Sequence, residues 1–299
     1  MASSGSFCIL TFSQISIAPS KNVSNLARSY PKMSIFAQNP KQMTDIFGIA
    51  YRLRIFTLCE LMKATSESNT LQLSKLLQRW QQQGVAVQVR RNLYCMVDLS
   101  TGLPLCNKYE IGSHLSESSY ISYHSALEFH GLAHQPFNEV FVSSLSRFNS
   151  FCHDDVDYVY CRQAANNIEG IGSPKGNPFV RITDMERTLL DCFDRIDRAG
   201  GIEELLHCME GITLLDEEKL TTYLAAFNKV FLYQKTGYLL ERIKEQAHIT
   251  DPFIELCRTK GTKSVKWLTN NDESDTFVNR WRLYVPQALT EKDMEDELI

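Results

Sequence analysis

The residues between Thr70 and Arg79 combine amide and cationic side chains at helical spacing. Gln72, Lys75 and Gln78 lie between these two ends, at steps of three residues. Amide groups can pair with the edges of bases, whereas Lys and Arg can neutralise phosphates. A solvated helix face has the same composition, so the pattern alone leaves nucleic-acid binding and a plain polar surface equally open. The neighbouring elements must decide between them.

The apolar residues of the same stretch predict a helix with one buried face. They repeat at steps of three or four residues, namely Leu73, Leu76, Leu77 and Trp80. Gly84 is expected to end this helix, since glycine adopts the left-handed conformation readily. A shorter helix should precede it, because Thr57 and Glu60 stand at the spacing of a capping box. A further helix should begin near Met43.

Two β-rich runs, 85–89 and 93–97, follow the helix and predict a hairpin. Arg90, Arg91 and Asn92 separate the runs, and basic side chains at such a tip suit contact with phosphate or with the minor groove. Three helices and a basic hairpin predict an N-terminal winged helix-turn-helix domain. In a helix-turn-helix the second helix enters the major groove, and here it would carry Gln72 to Arg79. A winged helix can also serve protein contacts, and that alternative stays open.

The charge of the chain is unevenly distributed. Residues 1–42 hold four Lys or Arg and no acid, and residues 43–98 hold seven Lys or Arg against four acids. Because the whole chain carries a net charge of -4, the remainder carries -11. This asymmetry favours a front part that approaches a polyanion and a back part that faces a different partner.

Residues 1–42 contain nine serines and three prolines without a clear period. We expect them to be a disordered tail or an over-extended start, with Met33 or Met43 as the first residue of the folded protein. A transit peptide is the less favoured alternative, because the segment holds a single Arg. With the winged helix assigned to 43–99, the second domain should cover 115–290.

The second domain is predicted to be α+β and mostly helical. A short helix should begin after Ser122 as N-cap and end at Gly131. Alternating apolar residues over 139–143 and 156–160 predict two strands. These strands should form a small sheet among the helices.

Further helices are expected in the second half of this domain. Thr183 and Glu186 stand at capping-box spacing and predict a helix over 184–196 that stops at Gly200. The remaining expected elements are a helix over 202–209, a helix from Asp216, a helix beginning with the run 237–242, and a closing strand over 278–286.

The residues of this domain that could bind a metal form weak patterns. His130 and His134 are four residues apart with His124 nearby, but Gly131 should end the helix between the pair. The acids at 154–157 lack the accompanying lysine pattern of a nuclease. We therefore expect no catalytic residue, no metal and no cofactor.

Composition points to a cytoplasmic protein. The nine cysteines are scattered without a C-x-x-C pair, which is typical of reduced core residues. No apolar run approaches the roughly 20 residues of a membrane helix.

Four ordered runs carry a resemblance to a known family. Their patterns are S-x-x-S-A-L-x-x-H-G-L at 122–132, R-I-T-D-x-E-R-T-L-L-D-C at 181–192, G-Y-L-L-E at 237–241 and N-R-W-R-L-Y-V-P at 279–286. The chain resembles the AbiEi-type antitoxins of type IV toxin-antitoxin systems, prokaryotic proteins that are paired with a nucleotidyltransferase toxin. The run FTLCEL at 56–61 and an aromatic at the wing are similar to the family's N-terminal domain.

The resemblance implies both functions of such a protein. Its winged helix would bind repeats in its own promoter and repress the operon. Its C-terminal domain would counter a cognate nucleotidyltransferase toxin, encoded nearby, which acts on tRNA. We therefore expect a DNA-binding transcriptional repressor and antitoxin of a phage-defence system, and not an enzyme. The alternatives are a stand-alone winged-helix defence regulator and, less favoured, a metal-dependent nuclease.

Overall fold

The computed structural model of the protein describes residues 40–163, 167–270 and 275–290. Contacts group the chain into two units, Met1–Phe47 and Gly48–Ile299. The prediction for 1–42 falls on residues outside the described part, except for 40–42, which begin the first helix.

The front of the chain forms helices and a small sheet. Its elements are α1 (Pro40–Leu53), β1 (Ile55–Thr57), α2 (Leu58–Thr65), α3 (Thr70–Gln82), β2 (Ala86–Arg90) and β3 (Leu93–Met96). The strands pair antiparallel in the order β1-β3-β2. The predicted helices and the hairpin are therefore present.

Local capping explains where α2 and α3 begin. The Thr57 side chain accepts from the Glu60 amide, and the Glu60 carboxylate accepts from the Thr57 amide, so the predicted capping box is confirmed. Asn69 caps α3 by accepting from the Gln72 amide at 3.1 Å. The buried side chains of α3 are those that the pattern predicts, namely Leu73, Leu76, Leu77 and Trp80.

A mixed six-stranded sheet forms the centre of the following region. Its strands are β4 (Tyr120–Ile121), β5 (Glu139–Ser144), β6 (Phe151–His153), β7 (Val156–Arg162), β8 (Ile171–Gly172) and β9 (Ile182–Thr183). They lie in the order β6-β7-β5-β4-β9-β8. The two predicted strands are confirmed as β5 and β7, which pair in parallel.

Helices and a second small sheet complete the fold. The helices are α4 (Lys108–Ser113), α5 (Tyr123–Phe129), α6 (Met185–Asp194), a 3-10 turn (Ile196–Ala199), α7 (Ile202–Glu210), α8 (Glu217–Phe227), α9 (Val230–Arg242) and α10 (Asp251–Lys260). The sheet has the order β10-β12-β11, with β10 (Lys266–Trp267), β11 (Thr276–Val278) and β12 (Leu283–Val285). The protein is therefore a mixed α+β structure.

The predicted capping box of α6 is wrong, because the N-cap of this helix lies one residue later than Thr183. Thr183 belongs to strand β9, and its hydroxyl bonds the Thr188 hydroxyl at 2.7 Å. Asp184 is the N-cap instead, since its carboxylate accepts from the Arg187 amide at 3.0 Å. The Glu186 carboxylate accepts from the Asp216 amide at 3.0 Å, so it holds the start of α8 rather than the start of its own helix.

Helix α5 has the predicted limits and the predicted N-cap residue, but the side chain of that residue makes no capping hydrogen bond. Ser122 is its N-cap residue and Gly131 follows its end with a φ of 78°. The Ser122 hydroxyl does not cap the helix, because it bonds the Ser143 hydroxyl of strand β5 at 2.7 Å.

Two further predictions near the C-terminus are wrong in extent. The helix expected from Gly237 already begins at Val230, and the expected strand over 278–286 is split by a turn in which Arg282 has a φ of 51°. Gly237 lies within α9, where the ring of Trp281 packs so closely that a Cβ would overlap it. Gly237 therefore allows a contact between α9 and the last hairpin.

A shared core joins the front sheet to the six-stranded sheet. One hydrophobic cluster includes Ile55 and Leu93 of the front sheet together with Val140 and Val142 of strand β5. The Arg54 guanidinium also forms a 3.2 Å ion pair with the buried carboxylate of Glu110. The domain limits at 99 and 115 stay predictions, and the shared cluster indicates that the two parts depend on each other for stability. Among the described residues, no helix has both the length and the apolar character that spanning a bilayer requires.

Candidate nucleic-acid interface

Helix α3 presents a polar face opposite its buried stripe. Thr70, Gln72, Lys75 and Gln78 are all exposed, whereas Arg79 is half-buried. Steps of three or four residues keep such side chains on one side of a helix. The structure therefore exposes four of the five side chains predicted for this helix, and three of them, Gln72, Lys75 and Gln78, follow one another at steps of three residues on one side.

An exposed leucine lies within the same face and was not predicted. Leu71 is 74 % exposed, directly after the first residue of α3. Its position outside the apolar stripe of the helix is visible in the sequence and could have revealed it. An apolar side chain here suits contact with a thymine methyl group or with an apolar partner surface.

The tip of the hairpin between β2 and β3 exposes Arg91. Asn92 beside it is also exposed and has a φ of 65°, which asparagine tolerates better than most residues. Its side-chain oxygen accepts from the Leu58 amide at 3.2 Å. Asn92 thus fixes the hairpin tip against the start of α2, and Arg91 is the side chain that the tip offers to solvent.

Arg90 has a different environment from the one predicted. Its guanidinium lies 5.9 Å from the ring centre of Phe148 and 5.5 Å from that of Phe151. The Nη1 atom is buried. The cation is attracted by the faces of these rings, so Arg90 attaches the hairpin to the six-stranded sheet. This contact could not be found from the sequence, because the two phenylalanines follow roughly 60 residues later.

The histidines considered as metal ligands have separate partners. His130 Nε2 bonds the Thr183 carbonyl at 2.8 Å, and His124 Nε2 bonds the Glu204 carboxylate at 3.2 Å. The ring of His134 stacks on His207. Within the described ranges, no group of three His, Cys, Asp or Glu side chains is placed to hold a metal ion.

The acids considered for a nuclease lie at a tight turn. Asp154 and Asp155 connect β6 to β7 and both have positive φ, at 52° and 58°. Asp157 is exposed at the start of strand β7. The turn explains Asp154 and Asp155, because aspartate adopts the left-handed conformation more readily than most residues.

Comparison with known proteins bears on the fold. No protein-family model matches the chain, and a search of curated proteins gives no significant match. The fold is of the mixed α+β class. Among solved structures, it is similar to the crystal structure of the RV2827C protein from Mycobacterium tuberculosis, with a TM-score of 0.57. The similarity covers 86% of this chain and 95% of that chain at 13% identity, and at this identity it shows the fold alone.

Proposed function

We propose that the protein is a DNA-binding transcriptional repressor and antitoxin, similar to the AbiEi family, which counters a cognate nucleotidyltransferase toxin. Residues 43–99 would form a winged helix-turn-helix that binds promoter repeats, and 115–290 would form the antitoxin domain. The protein would act in the cytoplasm without a metal, a cofactor or an enzymatic activity of its own.

The exposed face of α3 is the observation that carries the DNA-binding proposal. Helices α2 and α3 are joined by a short turn at 66–69, and the hairpin β2–β3 follows them. In a helix-turn-helix of this kind, the second helix lies in the major groove. That helix is α3, and Gln72, Lys75 and Gln78 are the exposed side chains that would reach bases or phosphates.

The hairpin would supply a second contact with the DNA backbone. Arg91 is exposed at its tip, so it suits a phosphate or the minor groove. Arg90 and Asn92 support the hairpin through the contacts with Phe148 and Leu58. We therefore assign phosphate binding on the hairpin to Arg91 alone.

The antitoxin proposal rests on the four runs that resemble the AbiEi family. In the fold these runs contact one another in pairs. His130 of the first run bonds the Thr183 carbonyl of the second, and the Trp281 indole of the fourth donates to the Glu241 carboxylate of the third at 2.5 Å. Such contacts support a common fold, since each run stabilises another. The side chains that make them are engaged within the protein.

A gel-shift titration with the DNA upstream of the coding sequence tests the repressor role. Replacing Gln72 and Gln78 with Ala should lower the preference for this fragment over a scrambled one. Each bidentate hydrogen-bonded pair between a glutamine and a base that is lost should reduce the preference by about 1–3 kcal/mol. Gln135→Ala, an exposed glutamine outside the interface, is the matched control. Equal binding of both fragments by the wild-type protein would remove the repressor proposal.

Co-expression tests the antitoxin role separately. The full chain should restore the growth of cells that express the nucleotidyltransferase encoded beside it. The Gln72→Ala, Gln78→Ala double variant should restore growth equally well, because α3 serves the DNA. Specific binding to the upstream DNA without any rescue of growth would favour the stand-alone regulator. Divalent-metal-dependent DNA cleavage by the pure protein would favour the nuclease.

Leu71 favours a second candidate function for the winged helix, as a protein-binding module. An apolar side chain that is 74 % exposed at the start of α3 could contact an apolar partner. Leu71→Ser separates the two functions, because a protein-binding module would lose its partner while a DNA-binding one would retain phosphate contacts from Lys75.

A further inference from the structure

A polar pocket of about 130 Å³ lies among the six-stranded sheet, α6 and α8. The side chains that matter for its chemistry come from β7, from α6 and from the segments that follow β7 and α8. They are Arg162, Gln163, Arg187, Asp191, Asp194 and Lys229. None of these residues belongs to the proposed DNA interface.

Arg187 organises the wall of the pocket. It is 3 % exposed, and its Nε donates to Asp191 Oδ1 at 3.1 Å. Its Nη1 donates to Asn167 Oδ1 at 2.7 Å and to the Glu169 carbonyl at 2.8 Å. The guanidinium also packs over the ring of Phe227 at 4.7 Å. Arg187 is therefore held by the protein and fixes one oxygen of Asp191.

Among the described residues, no donor pairs with two of the acceptors in the pocket. Asp191 is 5 % exposed and Gln163 is 7 % exposed, so both are shielded from bulk water. The atoms concerned are Asp191 Oδ2 and Gln163 Oε1, both of which are buried. Buried acceptors without donors are costly in free energy. A ligand that brings N–H groups to both atoms would remove that cost.

The charges of the pocket select against a cation. Arg162, Arg187 and Lys229 contribute three positive charges against the carboxylates of Asp191 and Asp194. Arg162 is exposed, and Lys229 is half-exposed at 2.6 Å from Asp194. The buried acceptors thus suit a neutral donor, while the two more accessible cations suit a negative group on the same ligand.

The volume limits the buried part of that ligand to one small planar group. A cavity of about 150 Å³ is known to hold a single benzene ring. The pocket is smaller than the roughly 300–1,000 Å³ of sites that enclose whole drug-sized molecules. The buried part can therefore be no larger than a single ring or a carboxamide, and the rest of the ligand would stay at the rim.

We propose that this pocket binds a small anion whose neutral planar head carries an NH₂ group. The NH₂ group donates to Asp191 Oδ2 and Gln163 Oε1, and the negative tail lies at Arg162 and Lys229. An aminopyrimidine nucleotide and a carboxylic acid with a terminal amide share this chemistry.

Isothermal titration of the full chain with matched pairs of probes tests the proposal and identifies the source. CMP and UMP have the same ring size and phosphate but differ in an amine against a carbonyl, and succinamate and succinate form the equivalent pair for the carboxamide. The amine or amide member of one pair should bind at least tenfold more tightly than its partner, because the partner places an oxygen where the NH₂ group would donate to both acceptors. Tighter binding of CMP than of UMP would identify the ligand as a nucleotide. Tighter binding of succinamate than of succinate would identify it as a carboxylic acid with a terminal amide.

Variants connect the binding to the pocket. Gln163→Ala should lower the affinity for the preferred probe about tenfold and remove most of its advantage over the carbonyl partner. Its side-chain oxygen makes no hydrogen bond within the part of the chain that the structure describes, so the variant should fold. Gln135→Ala, an exposed glutamine, should bind like the wild type. Equal binding within both pairs, no binding of any probe, or full affinity of Gln163→Ala would each overturn the proposal and leave water as the occupant.

Discussion

The exposed face of α3 and the pocket beside α6 contain similar side chains in opposite environments. Lys75 and Gln78 extend into solvent from a helix whose apolar stripe is already buried. Arg187 and Asp191 lie under the surface and bind each other at 3.1 Å. An exposed cation is available to a polyanion, whereas a buried one is occupied by the protein. The residue types alone are therefore compatible with ligand binding at both places. Burial determines whether a charged side chain is accessible to a ligand or is already paired within the protein.

The largest effect on stability should come from the buried side of this comparison. Arg187→Ala leaves the Asp191 carboxylate and the Asn167 side chain without their partner, and removal of one member of a buried ion pair costs about 3–5 kcal/mol. Urea unfolding measures this loss. Arg91→Ala, which removes an exposed arginine, should change the free energy of unfolding by no more than about 0.5 kcal/mol. Equal losses in the two variants would refute the distinction between the sites.

The pH dependence of the Arg187→Ala variant should reveal the charge of Asp191. Burial raises the pKa of Asp191 to about 6, above the value of roughly 3.9 for a free aspartate. The folded state binds this proton more tightly than the unfolded state does. The contribution of Asp191 to the free energy of unfolding therefore falls as the pH rises from about 4 to about 6. Arg187 opposes the shift, and Asp194 adds to it.

Without Arg187 the folded-state pKa of Asp191 should rise further. The protonated carboxyl carries no buried charge, so the variant should recover part of its lost stability in acid. The difference in unfolding free energy between the variant and the wild type should be smaller at pH 5 than at pH 7.5. A difference that is constant over this range would show that the loss of charge pairing does not cause the instability.

A smaller loss of stability should follow from the contact between α9 and the last hairpin. Gly237→Ala places a methyl group against the Trp281 ring, and such overpacking costs about 1–3 kcal/mol. Gly172→Ala is the matched control, because no atom of the described residues lies within 4 Å of a Cβ at that position. Thermal unfolding of the two variants measures the difference. Similar melting temperatures would indicate that Trp281 can move away at no cost.

Much of the local structure could be predicted because its determinants are near in sequence. The Thr57–Glu60 capping box, the buried stripe of α3 and the end of α5 at Gly131 each depend on residues within two helical turns. The cap of α6 was misplaced because Thr183 pairs within a sheet, and pairing partners such as Ile171 are not visible from local spacing.

The sites were harder to predict, since they depend on residues that are distant in sequence. Exposure of Lys75 follows from helical periodicity, but the contact of Arg90 with Phe148 depends on how the front sheet meets the second one. Gln163 and Asp191 both line the pocket, although strand β9 and the start of α6 lie between them in the sequence. A buried acceptor without a donor is a property of the folded chain, and no sequence pattern reports it.

The salt dependence of DNA binding tests the central claim, that α3 and the hairpin tip bind the DNA backbone. Replacing Lys75 and Arg91 with Ala should reduce the slope of log affinity against log salt by about 0.9 for each phosphate that the variant no longer neutralises, and should weaken binding to all sequences alike. The Lys263→Ala, Lys266→Ala variant removes the same charge from exposed positions elsewhere. The account predicts a lower slope for the first variant and a wild-type slope for the second. Equal slopes for both variants and the wild type would contradict it.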